Sequence, residues 1–450
     1  MSIEREIAGW IASLSWDELP PVTATAVENV FADAVASALV GRTQALVRRV
    51  EAPARAFAGE GTATVIGAPP AAPAAAAFLN AYAVTSATIC DVYRPGLCHV
   101  TPVTLPPLLA LAELYDEGGR RLLESFAIGL EVTVRLSRAL NYPELRRRGW
   151  HSPGVVGPVG AAAAGAHLLG LDEDGVASAL AHAAAQSAGT FVGLGTEAVK
   201  FNQARAAASA LLATLVAGSG LAAAESWLSG EDGGLAAAYT AAARPEALVE
   251  ELGSTWHLHE ISLRRWPAAS SVQSLIDECL RLVHERDLSP ADVDRIEIEL
   301  APAAYQVSGD RGWGDSLSAQ QSARWVAAVV LADRDWWTEQ SSPGRIADDA
   351  VSTFARERIS VARTEGLPEA GVRLRVSLRD GSELELAADD APGDPGRPLT
   401  RNQIEEKLRR AVPSAGIAAH ADDLLQHLRD LAGDGPATRL VHALGAPAGT

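Results

Sequence analysis

Residues 157–189 read "GPVGAAAAGAHLLGLDEDGVASALAHAAAQSAG". A run built so largely of hydrogen and methyl side chains lets backbones approach closely, and alanine is the best helix former. The stretch therefore predicts two tightly packed helices meeting at "GLDEDG". The same bias runs through much of the chain, where only 5% of residues are aromatic. Close-packed helices, not sheets, follow for most of it.

The helical pattern extends from the start to about residue 262. Apolar residues recur three and four positions apart in "TATAVENVFADAVASALVG", "RRLLESFAIGLEVTVRLSRAL" and "ARAAASALLATLVAGSGLAAAESWLSG". After Trp256 the pattern changes. "DVDRIEIELAP" alternates apolar and polar residues, and so does "GVRLRVSLRDGSELELAA", which predicts a hairpin turning at Arg379-Asp380-Gly381-Ser382. Helical segments, "SAQQSARWVAAVVLAD" and "DDAVSTFARERI", lie between them. The tail segments "RNQIEEKLRRAV" and "HADDLLQHLRDLA" return to helix. A chain of 450 residues exceeds one small core. The expected fold is mostly α: a helical domain from residues 1–262, a smaller α+β domain from 263–397, and C-terminal helices from 398–450 that rejoin the first domain.

The first residues, "MSIEREIAGWIASLSWDEL", mix charge with apolar positions as an amphipathic helix does, not as a signal peptide does. No uncharged, strongly apolar run of about 18 residues implies a membrane span. A cytoplasmic location is expected. The net charge of −18 and the lack of a basic stripe argue against a nucleic-acid partner, while a local cationic pocket could still take an anion. Cys90, Cys98 and Cys279 cannot form a disulfide framework or an iron–sulfur site, and read as small buried residues.

Four segments depart from this background. "DVYRPGLCHVTPV" gathers Asp91, Tyr93, Arg94, Cys98 and His99. "RRRGWHSPGVVGPVG" places His151 just before a helix start. "GLGTEAVKFNQARAA" carries Glu197, Lys200 and Arg205, in a chain with only two lysines. "WHLHEISLRRWPAASS" holds His257, His259, Arg264 and Arg265 at the expected domain junction. Each has an ordinary explanation: a histidine before a helix is more often a cap, an arginine more often a partner for a surface acid. His167 and His182 read as structural. His257 and His259 lack a third ligand for a metal.

In order and spacing, the later segments resemble the MmgE/PrpD family, which includes 2-methylcitrate dehydratase and cis-aconitate decarboxylase. "GWHSPGVVGPVGAAAAGAHLLGL", "ISLRRWPAASSVQSLID" and "PGDPGRPLTRNQIEEKLRRAV" are similar to its G-[FW]-H, I-S-x-K-x-[FY]-P and G-D-P…P-L-[ST] segments. The resemblance implies a homodimer, a site without metal or cofactor, and a small carboxylate substrate. His99 matches the histidine ending the family's D-x-D-D-T-[HW] segment, and His151 the one in G-[FW]-H. On that basis His99, His151, Asp91 and Tyr93 are the expected catalytic residues, with Lys200, Arg264, Arg94 and Gln273 binding substrate.

The departures from the family are specific. Ile89 stands where an aspartate is usual, and Tyr93 where threonine is. An ungapped register from His151 puts Val199 on the family lysine, so either Lys200 or Arg205 takes its place. Arg264 replaces a lysine and Gln273 a histidine. The implied activity is a lyase that dehydrates a β-hydroxy carboxylate by histidine-mediated proton transfer. The changed residues point to a substrate other than 2-methylcitrate, such as an intermediate of specialised metabolism. The alternatives are a decarboxylase or an isomerase (epimerase included) on a related carboxylate, or a binding protein that kept the fold without the chemistry.

Overall fold

The computed structural model describes residues 1–433 and 435–447. They form two compact units: residues 1–86 and 90–261 with the chain from Thr400 on, and residues 87–89 with 262–399.

The first unit is helical. Its main helices before the second unit are α1 (Ile3–Ser13), α2 (Pro21–Arg42), α3 (Pro73–Ser86), α4 (Thr101–Tyr115), α5 (Gly119–Ala139), α6 (Ser152–Leu168), α7 (Glu173–Ala184) and α8 (Val199–Gly218). Every residue of α6 is buried. Its glycines show why. A Cβ at Gly160 would lie 1.9 Å from Thr133 Oγ1 of α5, one at Gly165 2.5 Å from Thr214 Oγ1 of α8, and one at Gly157 3.0 Å from Val103 of α4. Two neighbouring helices, α5 and α8, thus come closer to α6 than a Cβ would allow, α4 makes a tight contact, and the alanines between fill what space remains. The expected junction at "GLDEDG" is present. Gly170 takes φ +65° beyond α6, and Asp172 caps α7 by accepting from the Gly175 N–H at 2.9 Å.

Two local expectations are corrected. Helix α8 ends at Gly218, followed by Gly220 at φ +83°, and residues 221–234 form turns instead of continuing the helix. Ala63–Val65 and Ala68–Ala71 form a small antiparallel hairpin inside the region expected to be wholly helical. By length and composition α2 could cross a membrane, but 72% of its most apolar window is buried inside the protein, as in a core helix.

The second unit is α+β. A four-stranded sheet is built from β1 (Val293–Leu300), β2 (Ile359–Arg363), β3 (Val372–Leu378) and β4 (Glu383–Ala388), in the order β2-β1-β3-β4. β2 runs parallel to β1 and the other pairs are antiparallel. The period of two sorts the faces. Ile296, Ile298, Leu300, Leu374 and Val376 share a core with Trp325 and Trp336, while Arg375 reaches Glu297 and Glu385, each at 3.4 Å, across the outer face. The predicted hairpin joins β3 to β4, with Gly381 at φ +88° and Asp380 accepting from the Ser382 N–H at 2.9 Å. Helices α9 (Gln273–Glu285), α10 (Ala323–Asp333) and α11 (Asp349–Arg358) belong to this unit.

The tail forms α12 (Arg401–Ala411) and α13 (Ala421–Ala432) within the first unit. Lys407 of α12 is buried and donates to Asp33 Oδ1 at 2.7 Å and Ser37 Oγ at 3.0 Å, both on α2. A buried ion pair is costly to break from one side, because the remaining charge loses its counterion. Lys407→Met is expected to cost about 3–5 kcal/mol in urea unfolding, and adding Asp33→Leu should restore part of it. An effect below about 1 kcal/mol would mean that the pair does not hold the tail in place.

Candidate active site

Residues 91–101 fold into a tight excursion between α3 and α4. Tyr93 and Cys98 pair as an antiparallel bridge, Tyr93 N–H to Cys98 O at 2.7 Å and Cys98 N–H to Tyr93 O at 3.1 Å. The turn between them holds Leu97 at φ +40°, a left-handed conformation. This pinch brings Asp91 back to the start of α4. Its carboxylate accepts from the Val100 N–H at 2.7 Å, the Thr101 N–H at 3.1 Å and the Thr101 hydroxyl. Asp91 is fully buried, and it caps a helix. It therefore fixes the loop that carries His99.

The same fold orients His99. Its Nδ1 lies 2.6 Å from the Asp91 carbonyl oxygen. A carbonyl can only accept, so Nδ1 carries the hydrogen and the neutral ring holds its lone pair on Nε2. His99 is half-buried. Its main chain leads at once into α4.

His151 occupies the N-cap position of α6. Its N–H donates to Gly189 O at 2.9 Å, and its ring packs on Phe191 at 6.0 Å. The Arg146 guanidinium lies 3.6 Å from the other partner of that stack, the Phe191 ring centroid. The Asn202 amide nitrogen is 3.3 Å from His151 Nδ1. His151 is 4% exposed, and this burial pushes the pKa of its ring down to about 4. His151 is thus neutral at physiological pH.

The two histidine segments meet. The Cys98 thiol lies beside the Ser152 hydroxyl, so the sequence neighbours of His99 and His151 are in contact. Burial raises the pKa of that thiol, which keeps it protonated and unreactive. The first turn of α4 and the second turn of α6 also pack together, through Val103 and Gly157. Residues 52 positions apart are brought to adjacent helix starts by these contacts.

The remaining expected residues are placed differently. The Tyr93 side chain is buried and hydrogen-bonded to Arg138 on α5; burial raises its pKa, and the Arg138 bond opposes this. Arg138 also reaches Glu260 at 3.5 Å, and Glu260 holds His257 Nδ1 at 2.7 Å. His259 turns instead to Thr23, with 3.0 Å between its Nε2 and the hydroxyl, so the H-x-H rings diverge. Lys200 is buried and donates to the Thr85 carbonyl at the end of α3, where a helix dipole favours a cation. Arg205 donates to Gln186 O at 2.9 Å, Ala188 O at 2.8 Å and Gly154 O at 3.2 Å, tying the 186–190 loop to the start of α6. Arg94 is half-buried in the turn of the excursion.

Arg264 and Gln273 belong to the second unit. Arg264 is buried, with Nη1 3.5 Å from Ala268 O. The Gln273 amide donates to Trp266 O at 3.0 Å and Ala268 O at 3.1 Å, and accepts from Trp266 N–H at 3.2 Å. Both of its hydrogens are engaged by backbone, so Gln273 clamps the Trp266–Ala268 turn.

Sequence reasoning passed over Asn202, Ser152 and Arg138. Asn202 stood within a segment already singled out, "VKFNQ", but nothing local distinguishes an amide facing solvent from one facing a histidine 51 positions away.

Comparison with known proteins agrees with this architecture. The chain is 26% identical to a cis-aconitate decarboxylase-like protein of Aspergillus oryzae, over 92% of this chain and 91% of that one. It is 24% identical to a cis-aconitate decarboxylase of Aspergillus terreus, over 92% and 89%. It is 27% identical to the cis-aconitate decarboxylase of Homo sapiens, over 91% and 87%. The MmgE/PrpD N-terminal domain matches residues 5–246 and the MmgE/PrpD C-terminal domain matches residues 266–430. On two domain matches that together cover most of its length, the chain belongs to the MmgE/PrpD family.

Proposed function

We propose that this protein is a lyase acting on a small polycarboxylate, with His99 as the base that takes a proton from the carbon next to a carboxylate. The observation that carries the reading is the His99 Nδ1 contact with the Asp91 carbonyl, because it leaves the basic lone pair on Nε2. Family membership and relatives named as decarboxylases support the lyase class.

The chemistry of a dehydration balances with this one ring. Nε2 takes the proton as the C–H bond breaks, and the imidazolium then returns it to the departing hydroxyl, which leaves as water. His151 has a different task. A ring with a pKa of about 4 is neutral, and it would have to become an imidazolate to act as a full acid. It serves instead as a hydrogen-bond donor to the negative charge that builds on the substrate carboxylate. The expectation that both histidines transfer protons is narrowed in this way. Lys200 supplies a buried positive charge at the end of α3, which favours an anionic substrate nearby.

Decarboxylation is the second reading, favoured by the relatives named as cis-aconitate decarboxylases. Loss of carbon dioxide leaves a carbanion, which protonated His99 would quench while His151 holds the remaining carboxylate. One assay tests both. Hydroxy polycarboxylates and cis-aconitate are incubated with the protein in deuterated water. Dehydration is read as loss of water with deuterium washed into the recovered substrate, and decarboxylation as carbon dioxide with deuterium in the product. Absence of exchange, elimination and gas release across the panel would leave the binding-protein reading and sink the lyase.

A further inference from the structure

A neutral imidazole has one N–H, and a hydrogen-bond donor aimed at substrate must carry it on the right nitrogen. We propose that Asn202 is the positioning residue that sets this for His151: its amide makes Nδ1 the acceptor and so puts the hydrogen on Nε2. The inference rests on the donor role of His151 argued above.

Asn202 Nδ2 lies 3.2 Å from Thr190 O and 3.3 Å from His151 Nδ1. The Thr190 carbonyl can only accept, so it is the NH2 end of Asn202 that faces this point, and its second hydrogen is directed at the ring. Nδ1 must then offer a lone pair. The opposite arrangement would set a ring N–H against an amide N–H.

The carbonyl that fixes the amide is itself held. Thr190 pairs with Trp150 as an antiparallel bridge. Arg205 binds the carbonyls of Gln186 and Ala188, just before Thr190, and that of Gly154 in α6. Gly189 takes φ +132°, and a Cβ there would stand 3.0 Å from Asn202 Cγ. The positive φ favours glycine, and a Cβ there would press on the amide. Gly189 O in turn accepts from the His151 N–H at 2.9 Å. Loop, ring and amide therefore form one closed set of hydrogen bonds.

The arrangement complements His99. There a backbone carbonyl accepts from Nδ1 and Nε2 is left basic. At His151 an amide donates to Nδ1 and Nε2 becomes the donor. Two chemically identical side chains are thus given opposite character by whether the group behind each is an acceptor or a donor.

The experiment reads the tautomer directly, apart from activity. Protein labelled with nitrogen-15 histidine is studied by long-range proton–nitrogen correlation at pH 7, with His151→Gln identifying the His151 signals. Wild type is expected to show a protonated Nε2 and a bare Nδ1. Asn202→Asp replaces the donor by an acceptor and should move the hydrogen to Nδ1. Asn202→Leu keeps the bulk and should abolish the preference, which provides the same readout if the charged variant does not fold. In the deuterated-water assay the Asp variant should lose turnover on the order of 10²-fold, the usual contribution of one donor to developing negative charge. A wild-type ring protonated on Nδ1, or variants that keep the wild-type tautomer, would overturn the proposal. A tautomer that inverts while turnover is unchanged would uphold the role of Asn202 and remove His151 from the chemistry.

Discussion

His99→Gln is expected to lower turnover by roughly 10³-fold and to abolish deuterium exchange into substrate, because glutamine keeps a polar side chain but cannot accept a proton. His151→Gln should be less severe, on the order of 10²-fold, since glutamine still offers an amide N–H to a developing anion. The contrast between the two is the informative result. A base that is removed takes exchange and product formation with it; a donor that is weakened slows both while leaving exchange detectable. The pH profile gives a second check. With its pKa pressed to about 4 by burial, His151 should contribute no inflection near pH 6.5. If the two substitutions prove equally damaging, and an inflection near 6.5 vanishes with His151→Gln, the roles assigned to the rings are exchanged. Full turnover in either variant would move the chemistry elsewhere in the protein.

Acid should destabilise the fold well before most carboxylates are protonated. Burial lowers the pKa of His151 and His167 from 6.5 to about 4, and in His167 the nearby Arg121 charge adds to the effect. Between those values the unfolded chain binds protons that the folded chain refuses, so stability rises with pH across this window and falls as pH drops from about 6.5 toward 4. Above pH 6.5 both states are neutral at these rings and the contribution is flat. Each ring accounts for about 3 kcal/mol over the whole window, and about 2 kcal/mol between pH 7 and pH 5. His167 is fully enclosed, with Nδ1 2.9 Å from Ser125 Oγ and Nε2 3.0 Å from Leu14 O, and it lies outside the proposed chemistry. It is therefore the cleaner probe. Urea unfolding at pH 7 and pH 5 should show wild type losing about 2 kcal/mol more than His167→Gln. Parallel pH dependence in the two proteins would show that His167 is protonated in the native state.

The sequence disclosed the fold more fully than the site, for a physical reason. Helix α6 was legible because close packing demands small side chains at every contact, and the glycines at 157, 160 and 165 meet α4, α5 and α8 as that requires. The β3–β4 hairpin was legible because alternation and an Asp-Gly turn are local signals. The Ala63–Ala71 hairpin was not, since "APPA" has no alternating pattern and its strands are three and four residues long. At the site, the identities of His99 and His151 were readable, but their chemical states were not. Those depend on a carbonyl eight residues from one ring and an amide 51 residues from the other. Asp91 illustrates the same limit: the bonds of its two oxygens to the Val100 and Thr101 N–H groups span nine and ten positions, and no local pattern announces them.

The burial of both lysines has a practical consequence for following this protein in solution. Lys200 and Lys407, the only two in the chain, are 8% and 2% exposed, and every other basic side chain besides histidine is an arginine. Acylating reagents that seek lysine amines consequently find none on the folded surface. Each lysine becomes reactive only when the segment around it opens, and the two report on different openings: Lys407 on release of α12 from α2, and Lys200 on separation of the start of α8 from the end of α3. The rate at which each is acylated is a built-in clock for local unfolding, with no engineered label needed.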